Sequence, residues 1–119
     1  MCKAAIVGSR NYSDYQTFKI IINNIRSKQN IDMIISGGAL GVDSLAYKYA
    51  IEQGITFVCH PPKPEDGYPA KFFRRNLRIV AASELVIALP MGKSTGTRHS
   101  ISLAKKLQKQ LIIIELNDK

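Results

Sequence analysis

Asp32-Met33-Ile34-Ile35-Ser36-Gly37-Gly38-Ala39-Leu40-Gly41-Val42-Asp43 is the stretch that decides the fold. The run from Asp32 to Ser36 has the length and apolar content of a buried strand, and the pair Gly37-Gly38 stops it. Val42, Leu45, Ala46, Tyr49 and Ala50 then recur at helical spacing, and Gly54 supplies a C-terminal stop. A strand, a glycine turn and a helix in that order form half of a parallel β-α-β unit. Upstream, Ala4 to Gly8 is another buried-strand run and enters the turn Gly8-Ser9-Arg10. Ser13 and Gln16 have the S-x-x-Q spacing of a capping box, predicting a helix from near Asp14 with Phe18, Ile21, Ile22 and Ile25 facing inward. Downstream, Ile55 to Cys59 is a β-branched and aromatic third strand, with Cys59 expected in the core. His60 to Pro69 is a long proline-rich loop expected to hold no regular structure. A helix over 70–82, a strand over 84–89, a loop from Pro90 to Gly96, a helix over 97–109 and a strand over 111–116 complete the chain.

Composition narrows the class. The 119 residues match the size of one domain, 1–119, and the 45% hydrophobic and 22% charged fractions are those of a globular chain. Two cysteines, Cys2 and Cys59, make neither a disulfide framework nor a metal set; one opens its strand and the other closes its own. No apolar run approaches the roughly 20 residues that span a bilayer, and the early Gly8-Ser9-Arg10 turn does not suit a signal peptide. The expectation is a reduced, cytoplasmic ligand-binding domain with no membrane partner, no metal and no cofactor. Seventeen Lys+Arg against nine Asp+Glu give a formal charge of +8, which favours phosphates on a nucleotide or along a nucleic acid.

The alternation predicts a Rossmann-like three-layer α/β/α fold with a five-stranded, mainly parallel sheet of order 3-2-1-4-5. Ligands of such sheets bind beyond the carboxyl ends of the strands, where the strand order reverses. Three loops meet there. The first gives Gly8, Ser9 and Arg10; the second gives Ser36, Gly37, Gly38, Ala39, Gly41 and Asp43; the third gives Met91, Gly92, Lys93, Ser94, Gly96 and Thr97. Glycine lets main-chain amides approach a phosphate closely, and a helix N-terminus attracts an anion. Gly92-Lys93-Ser94 is not a P-loop, because that motif needs a glycine where Ile87 stands. Arg10 and Arg75 can clamp a phosphate, with Asn76 beside Arg75, while Lys71 and Arg78 read as surface. Asp43 either accepts from a ribose hydroxyl or caps its helix. The chain has no Trp, and several of its five Tyr and four Phe sit at core spacings, leaving Tyr12 and Tyr68 as candidates to stack on a base or close a lid. His60 and His99 lack a nucleophile partner, so no catalytic residue is assigned.

Gly8-Ser9-Arg10, the segment Ile35 to Ala46, Arg75-Asn76 and Gly92-Lys93-Ser94-Thr95-Gly96-Thr97 together resemble the SLOG superfamily, over about Ala5 to Ile114. That group includes the Rossmann domain of DNA-processing protein A (Smf), the LONELY GUY phosphoribohydrolases and small YspA-related proteins. The resemblance implies a nucleotide-binding fold that is commonly a homo-oligomer. The hydrolase motif continues G-T-x-x-E, whereas Arg98, His99, Ser100 and Ile101 follow Gly96-Thr97 here. The sequence therefore favours binding of a phosphate-bearing, nucleotide-derived small molecule (ADP-ribose-like, NAD-derived or cyclic) by a sensor or sequestering protein. Two alternatives stand beside it: a nucleoside-monophosphate N-glycosidase, and a single-stranded DNA binder of the Smf type, to which Arg75-Asn76 and the basic charge are closer.

Overall fold

The computed structural model describes residues 2–117. Five strands, β1 (Cys2–Gly8), β2 (Ile31–Ser36), β3 (Thr56–Cys59), β4 (Leu85–Leu89) and β5 (Gln110–Ile113), form one sheet in the order β3-β2-β1-β4-β5. Every pairing is parallel. Helices α1 (Tyr15–Arg26), α2 (Val42–Gln53), α3 (Ala70–Ala82) and α4 (Thr95–Lys106) make the crossovers. The Rossmann-like fold and its strand order are those expected.

Two apolar layers hold the sheet. Ile6, Ile34, Leu85, Ile87 and Leu89 project to one face with Phe18, Ile22, Val42, Ala46 and Tyr49 of α1 and α2. Ala5, Val7, Ile35, Val86 and Ala88 project to the other with Ile79, Val80, Ile101 and Ala104 of α3 and α4. Such alternation follows from the period-2 geometry of a strand buried on both faces. Among the described residues, no helix is long and apolar enough to cross a membrane.

Local departures from the sequence reading have physical causes. The cap of α1 is Asp14 rather than the Ser13–Gln16 box: its carboxylate accepts from the Thr17 amide at 3.1 Å and the Thr17 hydroxyl at 2.7 Å. The proline-rich loop holds one 3-10 turn, Pro64–Asp66, because proline at a first helical position gives up an amide that would have had no partner. It is tied to α3 by an ion pair between Asp66 and Arg78, so Arg78 is not a free surface charge. The last helix runs 95–106 rather than 97–109, since Gln108 turns into the left-handed region at φ 57° and reverses the chain into β5. Cys59 is exposed rather than in the core, because β3 is an edge strand and Cys59 its last residue.

Candidate functional site

A cleft of about 620 Å³ opens beyond the carboxyl ends of β1 and β4, the point where strand order reverses. That volume lies within the range of small-molecule and cofactor sites. Of the residues singled out in the sequence, Gly8, Ser9, Arg10, Gly37, Gly38, Ala39, Asp43, Arg75, Asn76, Met91, Lys93, Ser94, Gly96 and Thr97 line it. The others stand elsewhere. Ser36 is fully buried and its hydroxyl donates to the Ile6 carbonyl at 3.0 Å, bracing β2 to β1. Gly41 is a packing glycine: a Cβ there would strike the backbone of Ser9 and Arg10. Gly92, at φ 67°, belongs to the turn and not to the cleft wall. Tyr12 is no stacking platform, since it is buried among the residues that pack α1 on the sheet. Tyr68 is exposed and lies outside the cleft lining.

The loops differ in what they leave free. At the β2–α2 turn the Val42 amide donates to the Ser9 carbonyl at 3.0 Å. The Ala39 amide donates to Asp43 Oδ2 at 3.1 Å. Asp43 therefore does not cap α2, whose cap is Gly41; it braces the glycine turn from a position that lines the cleft. Burial raises its pKa, against the opposing pull of the Ala39 and Gly37 amides, Ser36 and Arg75. Its carboxylate supplies the anion that this helix N-terminus attracts.

The N-terminus of α4 is different. Its first intrahelical bond is Arg98 to Ser94, so the preceding amides of Thr95, Gly96 and Thr97 have no partner in the helix. Ser94 offers no cap, because its hydroxyl is engaged with the amide and carbonyl of Met91. Arg98 steadies this loop from outside, donating to the Lys93 carbonyl at 2.9 Å and the Gly92 carbonyl at 2.6 Å while pairing with Glu115. All three amide-bearing residues line the cleft, next to Lys93.

Arg75 crosses the opposite wall. Its Nη1 donates to the Gly37 carbonyl at 2.9 Å and its Nε to Asn76 Oδ1 at 3.0 Å. Asn76 is buried, and its Nδ2 lies 3.2 Å from His99 Nδ1 and 3.4 Å from the Gly96 carbonyl. A chain of polar contacts thus joins His99, Asn76, Arg75 and Gly37, and fixes the guanidinium across the cleft. Burial lowers the Arg75 pKa, and Asp43 opposes that shift. Arginine nevertheless stays charged, so the half-buried cation is available to an anion.

Sequence reasoning missed Asn11, Pro61, Pro62, Phe72, Phe73, Thr95 and Ser100 in the lining, which the core residues Val7 and Ile79 complete. The pair Phe72-Phe73 matters most, because it puts aromatic surface in the same cleft as Arg10, Arg75 and Lys93. Phe73 is 44% exposed, and its ring is steadied edge-on by His99 at 4.9 Å. The signal was present as two aromatics directly before Arg74-Arg75-Asn76, at the loop-proximal end of a helix.

Known proteins resemble this chain along most of its length. The Gene 61 protein of Mycobacterium phage D29 is 28% identical over 113 residues, covering 89% of this chain and 90% of that protein. A solved structure of DNA processing protein A from Helicobacter pylori, described as binding single-stranded DNA, superposes with a TM-score of 0.70 at 28% identity. It covers 93% of this chain, which spans 64% of that longer one. The family model of DNA recombination-mediator protein A matches residues 1–69, the segment carrying β1, the Gly37-Gly38 turn and α2. The chain belongs to the DNA recombination-mediator protein A family.

Proposed function

We propose that this protein binds single-stranded DNA in the cleft, with phosphates held by Arg10, Arg75, Lys93 and the α4 amides, and a base stacked on Phe73 or Phe72. The observation that carries this reading is the co-location of three cations, an uncapped helix N-terminus and two phenylalanine rings in one cleft. Cationic grooves with aromatic platforms are the common solution for single strands, whose bases expose a π-face that a duplex conceals. The single-stranded DNA binding described for the Helicobacter pylori protein supports the same reading. The net charge of +8 adds long-range attraction.

A second reading keeps the same chemistry in a smaller ligand: a free nucleotide or nucleotide-derived metabolite held by a sensor. The cleft volume of about 620 Å³ favours it, because a ligand of that class would fill the site alone. One titration separates the two. Fluorescence anisotropy of a labelled oligothymidylate is measured against unlabelled single strand, duplex and mononucleotides. The proposal expects the single strand to compete at least about tenfold better than duplex or mononucleotide, a gap of about 1.4 kcal/mol. Equal competition by duplex would overturn it, and tighter binding of a mononucleotide would favour the second reading.

A further inference from the structure

Phe72 connects the cleft with a second aromatic surface. Phe72 lines the cleft, and its ring meets Tyr68 in an edge-to-face contact with centroids 5.8 Å apart. Tyr68 is 81% exposed, the most open of the large hydrophobic side chains among the described residues. It stands just before α3 on a well-held stretch of chain, where the Lys71 amide bonds back to the Gly67 carbonyl at 2.7 Å. The surroundings are mainly basic. Lys71 Nζ lies 5.2 Å from the centre of the Phe72 ring. The Arg78 hydrogen bond lowers the pKa of Asp66, and Arg74 and Lys63 are near enough to add to that shift. Glu65 is the remaining acid of this loop.

An exposed tyrosine ring in contact with Phe72, itself beside Lys71, offers what the cleft itself offers: a face for a base and charge for the adjoining phosphate. Tyrosine orders at low entropic cost, because it has only two side-chain torsions. The cleft, at about 620 Å³, has room for about one or two nucleotides, so a longer strand must leave it. We infer that Tyr68 is a second nucleobase platform one step outside the cleft, and that a bound strand continues from Phe72 over Tyr68 with Lys71 and Lys63 at its phosphates. This rests on the single-strand reading above and adds to it a ligand longer than the cleft.

The test compares wild type, Tyr68→Ala and Arg75→Ala on oligothymidylates of about 3 to about 12 nucleotides, a series that starts just below the site sizes of about 4–16 nucleotides known for single-strand binding folds. Tyr68→Ala should leave the shortest oligomer unaffected and weaken the longest about tenfold, within the range for loss of one base–aromatic stack. Arg75→Ala should weaken binding at every length. Because the chain has no Trp, Tyr68→Trp places a sole tryptophan at this point, excited selectively beyond the tyrosine absorption, and its emission should be quenched by long oligomers but not by the shortest. If Tyr68→Ala changes nothing at any length, or acts equally at all lengths, the outer platform is wrong. The single-strand reading then survives as long as Arg75→Ala still weakens binding. If wild type binds no oligomer, both fall together. The side chain is largely in solvent, so neither Tyr68 variant threatens folding.

Discussion

Gly37→Ala removes no charge from the cleft, yet it should disable Arg75. An added Cβ at position 37 would overlap Arg75 Nη1 and sit 3.0 Å from Cζ and 3.1 Å from Cδ. The Gly37 backbone is not left-handed, so alanine itself is tolerated and the guanidinium must move. That movement breaks the bonds from Nη1 to the Gly37 carbonyl and from Nε to Asn76. Hydrogen bonds to charged groups contribute about 1.5–3 kcal/mol each, but Arg75 is half-buried and recovers much of this from water when it swings out. Alanine also returns about 0.4–1 kcal/mol by restricting the unfolded chain. The net expectation is a loss of about 1 kcal/mol in stability, or about 4 °C in Tm. Affinity for a labelled oligothymidylate should fall about tenfold, close to the loss in Arg75→Ala. The assay is anisotropy titration beside thermal unfolding for Gly37→Ala, Arg75→Ala and the double variant. If position 37 acts through Arg75, the double variant should be no weaker than Arg75→Ala alone. Full additivity of the two losses, or unchanged affinity in Gly37→Ala, would refute the reasoning.

Asp43→Asn should strengthen oligonucleotide binding severalfold, because it deletes the negative charge facing Arg75 while its side-chain oxygen can still accept from the Ala39 amide; titration at low salt checks it. Burial lowers the His99 pKa, so the folded protein resists the proton that the unfolded chain takes up near pH 6.5. The stabilisation from neutral His99 is thus complete above that pH and is lost as pH falls through the lower folded value. Wild type should therefore lose Tm relative to His99→Phe between about pH 7 and pH 5, as read by thermal unfolding. Ile87→Ala, at a fully buried position of β4, should cost about 2–5 kcal/mol by denaturant titration.

Much of the fold is legible because the signals are local. Apolar runs such as Ile34-Ile35 and Ile87-Ala88-Leu89 end in glycine or proline turns, and helical spacing resumes after each. Parallel order then follows from right-handed crossovers. The three loops that meet at the cleft are legible for the same reason. Finer roles are decided in three dimensions. Gly41 and Ser36 look like ligand contacts but serve close packing and a strand brace, which depend on what lies across the sheet. Tyr12 sits in a loop, yet it folds under α1 into the core. Phe72 and Phe73 fall in a helix that buries Ile79 and Val80 but leaves Leu77 exposed, so which way each apolar residue turns is not visible without the packing of α3 on α4. The use of Asp43 to brace the glycine turn is likewise a matter of geometry, set by where the Ala39 amide points.

The salt dependence of single-strand affinity tests the central claim most directly. For an oligomer short enough to stay in the cleft, with phosphates at Arg10, Arg75 and Lys93, log K against log salt should fall with a slope of about −2, at about 0.7 per phosphate. Arg75→Ala should flatten that slope by about 0.7. A wild-type slope near zero, or a slope that Arg75→Ala leaves unchanged, would contradict a cleft in which these cations hold the strand.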